Sequence, residues 1–444
     1  MGKNCLEYTC PSHGGWGMVR TGMLVPESHQ LFICPSACGR HGALGAVKQG
    51  FKKRLSYLYL EESDIVSGYD QAIVEAAGEL FDRLGYRPKV LLVFVSCLDD
   101  LIGTDCDAVI EELSERYPDV KFRMCHMNPI SGDSEEPPQK GIWKNMYSLL
   151  ERESNSLKNR INMIGNLLPV HPDSELHTFL HCLGMEKVCQ AASCTTYEEF
   201  RDMGNNCLNL VAAPFADRAA QLLKQREGME YVNAFVSYDF EEIDRNYRAI
   251  AEKLKELGMA KEPGITKEPG MTKDPGMTAE ETEGLPALRA EHVLEEARRK
   301  AEQAVKKARE IVGDQKLFLD YSAFVRPLKA ARFLLEQGFQ VAGVYLKEMD
   351  TEDPDYRWLE EHAEVELIKV NGPDMVNAWK LNGEGISIGA EAAYVTGSGH
   401  AAVMFQDEGL YGYYAVTRLM ELLADAVREE IDLEKTIHQL GLVV

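Results

Sequence analysis

The residues of this chain best suited to chemistry are its cysteines, which are unevenly distributed. Six of the eleven lie in the first 106 residues: Cys5, Cys10, Cys34, Cys38, Cys97 and Cys106. Cys10 begins CPSHGGWG, Cys38 lies in CPSACGRHG and Cys97 begins CLDDLIG. Small neighbours let a backbone approach a bulky group, and thiolates are the ligands of iron–sulfur clusters. Because the chain has no CxxC pair, spacing alone leaves two alternatives open, metal ligands and buried thiols.

Five polar side chains are candidates for a catalytic role: His13, Arg40, His41, His126 and Arg326. A cation near a cluster, such as Arg40, raises its potential, and a histidine such as His41 can transfer a proton. His126 follows a predicted strand end, where a structural role is the alternative. Arg326, in an FVRP turn, either binds a substrate carboxylate or structures its own loop.

The elements that position these residues alternate between strand and helix. Val90–Ser96 (VLLVFVS) is too apolar for a solvated strand and is predicted to be buried on both faces. A helix over Ser67–Leu84 precedes it, and the segment after it, CLDDLIGTD, is predicted to be a loop. A helix at Cys106–Arg116 and a strand at Val120–Cys125 follow. The ends of such strands are where parallel α/β sheets place ligand sites.

The same alternation recurs twice. Further strands are predicted at Ile161–Leu167, Lys187–Ala192, Leu208–Ala213, Tyr231–Val236, Lys316–Tyr321, Gln340–Leu346, Val365–Val370, Ile386–Gly389 and Ala401–Phe405. We therefore predict an α/β protein of three Rossmann-like domains with parallel sheets. The first domain, with the cysteines, takes residues 1–157 and the second takes 158–258. Residues 287–444 form a charged helix, beginning near Leu288, and the third domain.

Residues 259–286 are predicted to be a flexible linker. They contain the consecutive repeats KEPGIT, KEPGMT and KDPGMT, from Lys261 to Thr278. Each copy carries a Pro-Gly turn signal and no residues that could build a core.

Composition limits the classes of function. A net charge of −23 over 444 residues argues against nucleic-acid binding, which requires lysine and arginine. No stretch approaches the roughly 20 apolar residues of a membrane span, and the N-terminus lacks the apolar core of a signal peptide. We therefore expect a cytoplasmic protein with a small-molecule substrate. Its cysteines are expected to be reduced rather than paired in disulfides.

The order of the motifs resembles component 1 of nitrogenase and its relatives. The resemblance rests on Cys10 in a Gly-rich segment, CPSACG around Cys38 and SCLDDLIGTD at Cys97. It continues through INMIGNL, LGMEKVCQ, LNLVAAPF and DYSAFVRPLKAARFLLEQGF, and so covers nearly the whole chain outside the linker.

The resemblance implies that Cys10, Cys38 and Cys97 hold an iron–sulfur cluster, either 4Fe-4S or similar to the P-cluster, at a subunit interface. Cys34 and Cys106 are alternate ligands, for which buried thiols close to the cluster are the other interpretation. Three cysteines leave one iron of a four-iron cluster open. The candidates for that position are Asp99, Asp100, a partner side chain and a cysteine across a dimer interface.

Two departures from the family pattern narrow the expected function. Nitrogenase holds its iron–molybdenum cofactor with one cysteine and one histidine. This chain has Ala212 and Ala213 at the place of the cysteine and MFQDEG, Met404–Gly409, at the place of the histidine. No iron–molybdenum cofactor is therefore expected. Relatives that lack these ligands reduce tetrapyrroles or sulfur compounds.

The resemblance also implies partners. The chain has no GxxxxGK[ST] phosphate loop, so ATP is expected only on a separate iron protein that delivers electrons. A homodimer, or a heterodimer with a related subunit, is expected because an interface cluster needs both faces. The interpretation is a nitrogenase-like reductase of an unsaturated organic or sulfur-containing substrate. The alternatives are a non-catalytic scaffold for metallocofactor assembly and a binding protein with no cluster.

Overall fold

The computed structural model describes residues 17–127, 138–153, 157–259, 279–373, 375 and 383–440. The first sheet has the strand order β2-β1-β3-β4, with β1 (Ser28–Cys34), β2 (Leu55–Tyr59), β3 (Val90–Val95) and β4 (Lys121–His126). All of its pairings are parallel. Its helices are α1 (Gly17–Met23), α2 (Ser36–Lys48), α3 (Glu62–Ser67), α4 (Asp70–Leu84), α5 (Cys97–Ile102), α6 (Cys106–Arg116) and α7 (Pro138–Tyr147).

The centre of this sheet is buried on both faces. Every residue of β1 and β3 is buried. On one face, Ile73 and Phe81 of α4 pack in a core cluster with Leu91 and Val93 of β3. On the other face, Phe94 stacks on Phe32 with 4.6 Å between the ring centroids. Parallel strands covered by helices on both sides need such continuous apolar runs, and β3 was predicted on that basis.

The sequence analysis did not predict β1, because polar residues interrupt its apolar pattern. His29 and Gln30 are buried within it. The Nε2 of His29 lies 2.9 Å from the Oγ of Ser56, and the Nε2 of Gln30 donates to the carbonyl oxygen of Val19 at 2.9 Å. Burial lowers the pKa of His29 to about 4, which keeps the ring neutral. Hydrogen bonds therefore make a mixed sequence compatible with a buried strand.

The segment CLDDLIGTD contains a short helix, α5, where a loop was predicted. The Oγ of Ser96 accepts from the backbone N–H of Leu98 at 3.5 Å and so caps the N-terminus. Gly103, with φ 79°, ends the helix in the left-handed conformation. Gly85 ends α4 in the same way, as its position predicted.

The second sheet has the order β6-β5-β7-β8, with β5 (Lys158–Ile164), β6 (Lys187–Gln190), β7 (Asn206–Val211) and β8 (Glu230–Asn233). Its segment also contains α8 (Glu175–Cys182), α9 (Tyr197–Asp202), α10 (Asp217–Glu227) and α11 (Phe240–Glu256).

The third sheet has the order β11-β10-β9-β12-β13, with β9 (Lys316–Asp320), β10 (Gln340–Leu346), β11 (Glu366–Lys369), β12 (Ile386–Ile388) and β13 (Ala401–Ala402). Its helices are α12 (Ala279–Val312), α13 (Pro327–Glu336), α14 (Pro354–His362), α15 (Ala390–Thr396), α16 (Gly412–Arg428) and α17 (Leu433–Leu440). Helix α12 begins at Ala279, inside the segment predicted as linker, whereas the three repeats lie outside the described residues. Among the described residues, no helix combines the length and apolar character needed to cross a bilayer.

The described residues form two compact units. One contains the described residues up to Leu168 together with Cys189–Asn233, and the other contains Pro169–Val188 and the described residues from Ala234 onward. Helices α8 and α11 thus belong to the unit that holds the third sheet.

A buried carboxylate connects three helices of that second unit. Glu175, the first residue of α8, accepts from the hydroxyl of Tyr247 on α11 at 2.7 Å. It also accepts from the backbone N–H of Tyr413 at 2.5 Å and of Tyr414 at 3.0 Å. These N–H groups lie in the first turn of α16, where the helix dipole favours a negative charge. Burial raises the pKa of Glu175, and the hydrogen bonds oppose that shift.

Replacing Glu175 with alanine is expected to lower the free energy of unfolding by about 2–4 kcal/mol, because it leaves buried donors without an acceptor. Chemical denaturation of the full chain measures the change. The matched control is Glu421→Ala on the exposed face of α16, where the carboxylate pairs with Arg418, with an expected change below about 0.5 kcal/mol. Equal effects of the two substitutions would contradict this role of Glu175.

Candidate functional site

Two of the predicted cysteines lie at the carboxyl edge of the first sheet. Strands β1 and β3 are parallel neighbours, with Ile33 opposite Val95. Cys97 directly follows Ser96 at the end of β3, and Cys38 lies in the first turn of α2, just after β1. Two predicted ligands therefore share one sheet edge. The third, Cys10, and the catalytic candidate His13 lie outside the described residues.

Packing of α2 against β2 fixes the position of Cys38. Gly39 lies against the rings of Tyr57 and Tyr59, and a Cβ at this glycine would be 2.8 Å from the ring of Tyr59. Because no other residue fits there without displacement, the glycine holds the start of α2 close to the sheet. The next residue, Arg40, is exposed, and the side chain of His41 lies outside the described part of the chain.

The thiols differ in their accessibility. Cys38 is exposed and Cys97 is half-buried, whereas Cys34 is buried. Burial, reinforced by Cys38, raises the pKa of Cys34 to about 12. Burial and nearby carboxylates, Asp99 first, raise the pKa of Cys106 to about 12. Because a ligand thiol must be within reach of the cluster, the accessible Cys38 and Cys97 fit an iron–sulfur cluster better than the buried Cys34 does.

A second group of side chains lies at the same edge. Asp99 of α5 is 4 % exposed, and its Oδ2 lies 2.8 Å from the Nδ1 of His126, the last residue of β4. This hydrogen bond raises the pKa of His126. The ligand atoms of Asp99, His126 and Cys106 all lie within 4.8 Å of one another.

The sequence analysis named these three residues one at a time and did not place them together. The signal was available, because Asp99 and Cys106 follow β3 and His126 ends β4. Neighbouring parallel strands put such residues at one edge, but the order of the strands has to be known first.

Arg326 is engaged inside the second unit. Its Nη1 lies 2.6 Å from the Oε1 of Glu242, and its guanidinium is 5.9 Å from the ring centroid of Phe235. Glu242 also lies near Lys329, with 3.8 Å between Oε2 and Nζ. These contacts favour the structural role of Arg326 over binding of a substrate carboxylate.

A cavity of about 720 Å³ lies at the opposite, amino edge of the first sheet, near Ser28 and Lys89. Arg54 lines it, but its guanidinium already donates to the carbonyl oxygens of Ser28, at 2.9 Å, and Val25, at 2.6 Å. The cavity is therefore separate from the edge that carries the cysteines, and sequence analysis did not predict it.

A model of the nitrogenase component 1 type oxidoreductases matches residues 14–408. The chain belongs to this family. Two curated relatives are called nitrogenase iron-molybdenum cofactor biosynthesis protein NifE. The one from Clostridium pasteurianum is 21 % identical over 238 residues, which is 52 % of this chain and 51 % of the relative. The one from Nostoc sp. (strain PCC 7120 / SAG 25.82 / UTEX 2576) is 28 % identical over 124 residues, 26 % of this chain and 25 % of the relative.

This chain thus spans about half the length of the first of these relatives and a quarter of the second. Solved structures titled "Nitrogenase Cp1", at pH 6.5 and pH 5, share its fold. Their TM-scores are 0.66 and 0.64, and each is 15 % identical to this chain. Each match covers 96 % of this chain, and the two matches cover 94 % and 90 % of the solved chains. The predicted family and fold class are confirmed.

The structure describes both segments of this nitrogenase component 1 fold in which the chain lacks a cofactor ligand of nitrogenase. Ala212 and Ala213 are buried directly after β7. In the MFQDEG segment, Asp407 is buried. It accepts from the hydroxyl of Tyr238 at 2.6 Å and from the backbone N–H of Val325 at 2.8 Å. The segment in which the resemblance places the cofactor histidine thus contains a buried carboxylate, Asp407. Its hydrogen bonds connect this segment to Tyr238 and Val325.

Asp407 should make stability depend on pH. Burial raises its pKa from 3.8 to about 6, so the folded state keeps a proton that the unfolded chain has lost between about pH 4 and 6. The unfolding free energy of the wild type, relative to Asp407→Asn, is expected to fall by about 2–3 kcal/mol as pH rises through this window. Denaturation at several pH values measures this.

The control for this experiment is Asp425→Asn, at an exposed position on α16. It should keep the pH dependence of the wild type. If the unfolding free energy of Asp407→Asn depended on pH as that of the wild type does, this role of Asp407 would be refuted.

Proposed function

We propose that this chain is the cluster-binding component of a nitrogenase-like reductase. In this proposal Cys10, Cys38 and Cys97 hold an iron–sulfur cluster at the carboxyl edge of the first sheet, with four irons or a P-cluster-like form. The observation that carries it is the placement of Cys38 and Cys97, two accessible thiols, at the ends of neighbouring parallel strands. When bound, such a cluster would accept and release single electrons.

The surroundings of this edge support a shared interface. Among the described residues, three of the eight exposed large apolar side chains lie at the end of β2 or in the short helices α3 and α5 at this edge: Tyr59, Val66 and Leu101. Val66 is 88 % exposed and Leu101 is 76 % exposed. Exposed apolar side chains in one region are typical of a protein–protein contact. They support a homodimer, or a heterodimer with a related subunit, in which Cys38 faces the partner.

The proposed electron donor is an iron protein-like ATPase. The net charge of −23 favours a partner with a basic docking face. The proposed substrate is an unsaturated organic molecule, such as a tetrapyrrole, or a sulfur compound. No iron–molybdenum cofactor is part of the proposal, because neither segment discussed above offers its cysteine or histidine.

The second candidate function is a scaffold or carrier for metallocofactor assembly. It is favoured by the printed names of the two curated relatives, both cofactor biosynthesis proteins. Such a protein uses the same cysteines to hold a cluster but consumes no electrons.

Cluster binding predicts a specific loss of iron. After anaerobic reconstitution with iron and sulfide, Cys38→Ala and Cys97→Ala should each lose most of the iron and sulfide, because each removes a thiolate ligand. Metal and sulfide content, with an EPR spectrum of the reduced protein, measures this. The control is Cys182→Ala, which removes a half-buried thiol from α8 and should keep full content. A colourless wild-type protein without iron would refute both functions.

Turnover separates the two functions. With a cognate iron protein, MgATP and a reductant, the cluster-loaded chain should consume electrons with a tetrapyrrole, alkyne or thioether substrate. The Cys97→Ala variant should return consumption to that of the iron protein alone. If iron is bound but no substrate raises electron consumption, the scaffold function is supported and the reductase is refuted.

A further inference from the structure

Three potential metal ligands from three elements lie close together at the carboxyl edge of the first sheet. They are Asp99 in α5, Cys106 at the start of α6 and His126 at the end of β4, with their ligand atoms within 4.8 Å of one another. The pairing of β3 with β4 explains why two of these residues lie close together. His126 is the register partner of Val95, which brings the end of β4 beside the start of α5.

The turn between α5 and α6 brings in the third ligand. Gly103, with φ 79°, reverses the chain, and its N–H donates to the carbonyl oxygen of Asp99 at 2.8 Å. The N–H of Thr104 donates to the same oxygen at 3.2 Å. The turn places Cys106 next to Asp99, which lies seven positions earlier in the sequence.

The carboxylate of Asp99 is incompletely satisfied. Its side chain is 3 % exposed, and Oδ2 is held by His126, but Oδ1 is buried and has no hydrogen-bond partner among the residues that the structure describes. A buried carboxylate oxygen without a partner costs free energy, and buried polar groups in proteins are almost always satisfied. Here the unpaired oxygen belongs to a group that already contains a thiol and an imidazole, which are two of the preferred ligands of zinc.

We propose that Asp99, Cys106 and His126 bind a single divalent transition metal of the zinc type. A carboxylate oxygen, the Sγ of Cys106 and a ring nitrogen of His126 are the ligands. Thiolate and imidazole select zinc, iron or cobalt over magnesium and calcium. Ligand atoms around a tetrahedral zinc ion are roughly 3–4 Å apart, from metal–ligand bonds of about 2.0–2.3 Å, so small side-chain rotations complete the site.

Charge and access suit such an ion. On binding, the thiol of Cys106 releases its proton, and the imidazole of His126 binds in its neutral form. The two positive charges of the metal are then balanced by one thiolate and one carboxylate. The side chain of His126 is 50 % exposed, so the fourth position opens to solvent and takes water or a small ligand, as in catalytic zinc sites. The proposal uses none of Cys10, Cys38 and Cys97, and it assigns Asp99 and Cys106, which the sequence analysis offered as alternative cluster ligands, to a separate metal ion.

Cobalt reports on this site, because Co²⁺ replaces zinc and gives a thiolate charge-transfer band. The full-length chain is used with Cys10→Ser, Cys38→Ser and Cys97→Ser, so that the predicted cluster thiols do not contribute. After removal of metals by chelation, Co²⁺ titration should show one equivalent bound with this band, and Zn²⁺ should displace it. In the same background, Cys106→Ser should abolish the band.

Two further substitutions make the result specific. His126→Gln, at a half-exposed position that tolerates change, and Asp99→Asn should each weaken Co²⁺ binding at least tenfold, whereas the control Cys182→Ser should leave it unchanged. Circular dichroism checks that each variant is folded. The site is refuted if no thiolate band appears, or if the band survives Cys106→Ser in the folded protein. Because the cluster thiols are absent, neither result bears on the proposed reductase.

Discussion

Parallel pairing of two completely buried strands, β1 and β3, is the constraint on which the first sheet depends. Parallel strands direct all their carboxyl ends to the same edge, and burial on both faces leaves that edge as the place where chemistry can meet solvent. Cys38 follows β1, and Cys97 follows β3. The pairing of β4 with β3 adds His126 to the same edge. One register thus organises two sets of potential metal ligands.

The two edges of this sheet have different properties. The carboxyl edge carries accessible thiols, a buried carboxylate and exposed apolar side chains, a combination suited to metal ions and to a protein partner. The amino edge carries a cavity lined by Arg20, Arg54 and Arg87, of which Arg54 donates to backbone carbonyl oxygens and Arg87 pairs with Asp119. In the other unit, Arg326 and Asp407 are likewise satisfied by internal partners.

Sequence analysis correctly predicted elements whose signals lie within their own residues. Strand β10 and helix α6 have the predicted bounds, since an apolar run and a capped amphipathic pattern need no distant information. Strand β1 was missed because His29 and Gln30 are stabilised by residues 11 to 27 positions away. For the same reason, Cys38 and Cys97 could be named from motifs, whereas the group around Asp99 required the order of the strands. Family resemblance supplied the overall fold, since fold class follows from the alternation of elements but topology does not.

The division of the chain into two units has a consequence for dissecting the protein. Within the described residues, the polypeptide passes from one unit to the other three times, after Leu168, Val188 and Asn233. Neither unit is therefore a continuous stretch of sequence. A truncated chain that stops at any of these crossings would lack part of a unit it has already begun, and its unpaired strand edges would favour aggregation. Isolated fragments are poor substitutes for the whole protein, whose two units must fold from interleaved segments.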